Sequence, residues 1–130
     1  MMSETYSIGD LSRELQVTTR TIRHYEELGL LAPKREGQNR IYTPRDRVHL
    51  KLILRGRRLG FSLKEIGELL ELYDAPNGEA SQLKRFVAKM RERREALLKQ
   101  REDIDRVLEE LDGLEKRCCD MLESSGENAA

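Results

Sequence analysis

The sequence predicts a mainly α protein in two parts, a small helical domain followed by one long helix, and three observations carry that expectation. Ser7, Thr18, Thr43 and Ser62 each stand three residues ahead of an acid or another polar group, the arrangement that opens a helix. Asp74-Ala75-Pro76-Asn77-Gly78 is a strong breaker cluster. Beyond it, apolar residues recur every seven positions without a proline from about Ala80 to Leu122.

Ser7 with Asp10 opens the first helix, which carries Ile8, Leu11 and Leu15 at helical spacing. Thr18 with Thr21 opens the second after a very tight turn, and two short helices so joined read as a helix-turn-helix. The second helix is expected to reach about Leu28, with Ile22 and Tyr25 inward, Thr19, Arg20, Arg23 and His24 outward, and Gly29 as its C-cap. From Leu30 to Tyr42 a proline-containing arm, a Glu-Gly-Gln-Asn tip and a return arm Arg40-Ile41-Tyr42 read as a small hairpin, the wing of winged helix-turn-helix proteins.

Residues 48–54, VHLKLIL, alternate in a way that also fits a strand. Thr43 with Asp46, and Pro44 at the first helical position, decide for a helix that Gly60 closes. Ser62 with Glu65 then opens a fourth, with Leu63, Ile66, Leu69, Leu70 and Tyr73 as its apolar stripe. These features set the expected organisation: a winged helix-turn-helix domain with two supporting helices over 1–75, a linker at 76–79, a coiled-coil helix over 80–122 and a disordered tail over 123–130.

In the long helix Leu83, Met90, Leu97, Ile104, Leu111 and Cys118 fall seven apart. Phe86, Val107, Leu114 and Met121 fill the positions three residues later, and Arg93 and Gln100 interrupt that second row. A helix of roughly 40 residues is about 60 Å long and cannot bury such a seam against a small domain. It needs a partner helix, so a homodimer is expected.

Zero net charge, from 24 basic and 24 acidic residues, conceals an asymmetry. Residues 20–58 hold eleven Lys and Arg against Glu26, Glu27, Glu36 and Asp46, a local excess of seven positive charges that attracts phosphate. The N-terminus has no secretory pattern and no apolar run reaches membrane-spanning length, so no membrane partner and a cytoplasmic location are expected. No glycine-rich phosphate loop, activated nucleophile or paired acids can be recognised, and neither His24 nor His49 has zinc-ligand spacing around it. The chain is therefore not read as an enzyme, and no cofactor is expected.

Arg20 and Arg23 stand where the first turns of a second helix enter the major groove and can pair with guanine O6 and N7; Thr19 and His24 share their face. On the wing, Arg35 and Arg40 suit phosphates or the minor-groove edge, and the Tyr42 hydroxyl could reach a phosphate, although a tyrosine at a strand end can equally be core. His49 is expected on a helix surface. Cys118 and Cys119 are adjacent, which excludes a disulfide framework and leaves two readings: a soft-metal or redox site completed by a partner, or a small apolar seam residue beside an incidental thiol.

"YSIGDLSREL", "VTTRTIRHYEELGLLAP", "RIYTPRD" and "LGFSLKEIGELLEL", in this order and followed by a long helix, resemble the MerR family of bacterial transcription regulators over nearly the whole chain. The stretch from Arg40 to Asp74 further resembles the LiuR-type branch, associated with leucine and isovalerate breakdown. The resemblance implies a dimer joined by an antiparallel coiled coil, two winged heads on a palindromic promoter, and DNA bent and untwisted to realign promoter elements for RNA polymerase in response to a small-molecule effector. It also implies DNA contacts for Arg23, Arg40 and Tyr42. Three positions depart from the family pattern: Gln16 replaces a usual turn glycine, Asn39 a frequent wing tyrosine, and APNGEASQL lacks the cysteine of metal-sensing members. A thiol-based sensor, or a coiled-coil scaffold whose basic patch docks an acidic protein, are the alternatives.

Overall fold

The structure, a computed structural model, describes residues 4–75 and 80–126. Its elements are α1 (Ile8–Leu15), α2 (Thr19–Glu27), β1 (Lys34–Glu36), β2 (Asn39–Ile41), α3 (Pro44–Leu59), α4 (Leu63–Asp74) and α5 (Ala80–Ser124). All four expected caps form. The side chains of Ser7, Thr18, Thr43 and Ser62 accept from the backbone N–H groups of Asp10, Thr21, Asp46 and Glu65, and three of the four are reciprocal capping boxes. VHLKLIL is helical, as Thr43 and Pro44 dictate.

The turn between α1 and α2 settles what Gln16 does: its φ of 56° puts it in the left-handed region, and it is the described non-glycine residue that does so. The tight turn thus keeps its geometry without a glycine and carries the steric cost of a Cβ there. Gly29, at φ 79°, ends α2 with its N–H on the Glu26 carbonyl and the Leu30 N–H on the Tyr25 carbonyl, a Schellman closure that turns the chain toward the wing.

Strands β1 and β2 pair antiparallel, Lys34 with Ile41, Arg35 with Arg40 and Glu36 with Asn39, around a two-residue Gly37-Gln38 turn. Gly37 has positive φ at the first turn position, which matches the right-handed twist of the strands. At the wing's base Tyr6 and Tyr42 exchange two backbone hydrogen bonds of 2.9 Å, anchoring the return arm to the segment before α1.

The core of this part is Leu11, Ile22, Tyr25, Leu31, Tyr42, Leu50, Ile53, Phe61, Ile66, Leu69 and Leu70. Side chains of this kind contribute about 1.5–3 kcal/mol each when fully buried. Gly56 lets α3 and α4 approach closely, since a Cβ there would lie 2.9 Å from Ile66 Cγ1. Of the expected stripe on α4, Tyr73 stays exposed and sets its ring edge-on to His49. His49 itself is 9% exposed rather than on the surface, because Asp74 at the end of α4 reaches its Nε2 at 2.8 Å while also pairing with Arg45. Glu14 and Arg47 tie α1 to α3, the guanidinium bridging both carboxylate oxygens.

The chain separates into two compact units between Phe86 and Val87, so the first turns of α5, with Gln82 and Phe86 half-buried, count with the first unit. α5 has 45 residues, about 68 Å of helix, none of them buried, and it runs to Ser124, past the expected end at 122. The expected linker at 76–79 and the last part of the expected tail, 127–130, lie outside the described residues.

Candidate nucleic-acid interface

Helical periodicity sorts α2 into two faces. Ile22 and Tyr25 are buried, while Arg20, Arg23 and His24 are exposed and Thr19 is half-buried at the first turn. A helix held on one side by two core residues and on its axis by a cap at Thr18 and a Schellman turn at Gly29 is rigid, so its outer side chains share a fixed frame. Arg20, Thr21, His24 and Tyr25 also line a shallow crevice of about 340 Å³ with Arg57 and Leu63. Arg57 belongs to the basic surplus of the sequence but not to the expected contact set. Arg57, near the end of α3, joins this crevice through the tertiary fold, and no local pattern announces that.

The wing is tied to the same helix by a residue the sequence reading passed over. Arg35 and Arg40 face each other across the ladder, where two like charges would repel. Glu26 of α2 stands between them: Arg35 Nη2 donates to its Oε1 at 3.0 Å and Arg40 Nε to its Oε2 at 2.5 Å. Burial pushes the Glu26 carboxyl up, and the hydrogen bonds from Arg40 and Arg35 outweigh that, holding it below the usual carboxylate value. Two strands and a helix therefore meet at one carboxylate. The spacing of nine and fourteen residues from Glu26 to its partners gives no periodic signal, which is why it was missed.

Tyr42 is placed differently from the expected phosphate contact. It is fully buried, at 0% exposure, because its backbone pairs with Tyr6 and carries the ring into the core. Its hydroxyl is buried without a hydrogen-bond partner among the described residues, and burial together with the nearby Glu26 carboxylate raises its pKa. The core alternative holds for this side chain in the free chain. Asn39 is exposed on β2 opposite Glu36.

On α5, Cys118 is exposed and Cys119 half-buried, both as free thiols. Among the described residues no three His, Cys, Asp or Glu side chains gather in a way that could hold a metal ion, and no helix is long and apolar enough to cross a membrane.

Comparison with known proteins gives a consistent result. Residues 6–72 match the family model described as MerR HTH family regulatory protein, and residues 47–114 match the model described as MerR, DNA binding. The HTH-type transcriptional regulator ZntR of Escherichia coli K12 is 34% identical over 123 residues, 92% of this chain and 85% of that protein. The mercuric resistance operon regulatory protein of Bacillus cereus is 35% identical over 125 residues, 95% and 87% of the two chains. Among solved structures, a MerR family transcriptional regulator from Bacillus cereus superposes with a TM-score of 0.71 at 30% identity, covering 88% of this chain and 82% of that one.

Proposed function

The chain belongs to the MerR family of helix-turn-helix transcriptional regulators, and from that premise we propose that it works as a homodimer on palindromic promoter DNA, reading bases with α2 and gripping phosphates with the wing. The observation that carries this reading is the exposed Arg20, Arg23 and His24 face of a helix whose opposite face is buried, beside a wing that bears Arg35 and Arg40. Thr19 sits at the first turn, where the helix would enter the groove. Two heads joined through paired α5 helices would demand a fixed spacing of half-sites, and bending or untwisting the duplex to meet that spacing adds deformation energy to the base contacts. That distortion is the means by which RNA polymerase would be given or denied a usable promoter in the cytoplasm.

Footprinting of bound genomic fragments would yield the operator and its neighbouring genes. On that operator Arg23→Ala is expected to cost about 1–3 kcal/mol, roughly five- to 150-fold in affinity. Wild-type binding should fall linearly in log–log form as salt rises. Binding that ignores salt, or an Arg23→Ala variant as tight as wild type, contradicts the reading. Support for a small effector lies in a cleft of about 730 Å³ within the head, lined by Leu28, Leu30, Leu63, Leu70, Arg45 and His49. For the regulated genes, the resemblance of residues 40–74 supports branched-chain amino acid breakdown.

A second reading, a thiol-based metal sensor, is favoured by the likeness to a mercuric resistance regulator and by the vicinal Cys118 and Cys119. Replacing both with serine separates the two: an unchanged inducer response in a promoter assay removes the sensor.

A further inference from the structure

We propose that Glu26 sets the selectivity of the head: it holds Arg40 in place for the duplex and withholds Arg35 from phosphates until α2 is seated. This rests on the DNA-binding reading above and adds a positioning residue to it.

The two ion pairs differ in a way that assigns them different fates. Arg40 is 21% exposed and bonds through Nε at 2.5 Å, against a carboxylate that is itself 18% exposed. Breaking a largely buried pair leaves an uncompensated charge away from water, which is strongly unfavourable. Arg40 therefore stays on Glu26. Since Nε carries one of the five guanidinium N–H groups, both Nη groups remain for another acceptor. Arg35 is 52% exposed and uses one Nη2 at 3.0 Å. A pair so exposed is worth little and exchanges readily for a phosphate, which accepts from a guanidinium in the same fork geometry.

A phosphate contact carries no sequence information, so a freely available Arg35 would strengthen binding to every duplex alike. A carboxylate already on that arginine subtracts from non-specific binding first. Glu26 also lies one turn from Arg23 on the same helix, so the residue that restrains the wing shares a rigid element with the residue proposed to read bases. The exchange at Arg35 is thereby coupled to how α2 sits in the groove.

The test uses the full chain, with anisotropy titrations of the footprinted operator and of an unrelated duplex over a range of salt. For Glu26→Gln, affinity for the unrelated duplex should rise roughly two- to fivefold and its salt slope steepen by about one, the share of one added phosphate contact. The ratio of operator to unrelated affinity should fall accordingly. Glu26→Asp, which keeps the charge, should restore much of the ratio, and Glu26→Gln combined with Arg35→Ala should remove the added slope. Equal weakening on both duplexes with an unchanged slope would overturn the proposal, leaving Glu26 a purely structural tie. Should Glu26→Gln not fold, arginine side-chain NMR on the wild-type chain decides: operator addition is expected to move the Arg35 signals and leave the Arg40 Nε–H in place, and the reverse pattern or no change in either overturns it. A wild-type chain with no operator preference at all would instead fault the underlying reading.

Discussion

The head and the long helix spend similar residues to opposite ends. In the head, Leu11, Leu31, Leu50, Leu69 and Leu70 are buried against Ile22, Ile53, Phe61 and Ile66 within a span of about 60 positions. On α5, Leu83, Val87, Leu97, Ile104, Val107, Leu111 and Leu114 are all exposed, and no residue of the helix is fully buried. An aliphatic stripe on a short capped helix finds its cover among neighbouring elements of the same chain. The same stripe repeated at seven-residue spacing along about 68 Å has no such neighbours and requires a second helix of similar length. The head thus finds its burial within the chain, whereas α5 would draw its stability from association.

The largest expected effect comes from charging the seam. Ile104→Lys with Leu111→Lys should convert the protein to a monomer in sedimentation and lower operator affinity by roughly 10²- to 10⁴-fold, the loss that follows when two linked heads bind singly. Head unfolding should be unaffected, and a dimer that survives both substitutions would break the comparison. Next is Ile53→Ala, which should destabilise the head by about 2–5 kcal/mol in urea unfolding while leaving self-association intact.

Gln16→Gly should stabilise the head by roughly 1 kcal/mol, because it relieves a side chain held at positive φ and the added freedom of the unfolded chain offsets only part of that. A loss of stability there would mean that Gln16 contributes contacts worth more than its strain. The smallest effect is the response to acid. Glu14 is held low by the hydrogen bond from Arg47, and at Asp74 burial raises the carboxyl but His49 and Arg45 outweigh it. Carboxylates with depressed folded pKa values bind fewer protons folded than unfolded, so stability is full above their ordinary values near 4 and is lost as pH falls through the folded ones. Thermal melts should accordingly decline below about pH 4. Glu14→Gln and Asp74→Asn should each flatten the decline.

Much of this division was legible because its signals are local. A cap needs a hydroxyl and a group three residues away, and Ser7, Thr18, Thr43 and Ser62 could be read from that spacing alone. The Gly37-Gln38 tip and the heptads are similarly short-range or periodic. What escaped depends on contacts between distant segments. Arg47 finds Glu14 across 33 positions, and His49 finds Asp74 across 25. Burial of His49 follows from that partner and burial of Tyr42 from its ladder with Tyr6, and neither has a spacing rule. In the candidate site the exposed face of α2 could be read from periodicity, while Glu26 between Arg35 and Arg40 required the folded wing.

Selection of binding sequences from a pool of random duplexes by the full-length chain tests the two-headed account most directly. An enriched inverted repeat with one constant spacing between its halves is the predicted result. Enrichment of a single unrepeated site, of repeats at variable spacing, or of nothing above the starting pool would contradict it.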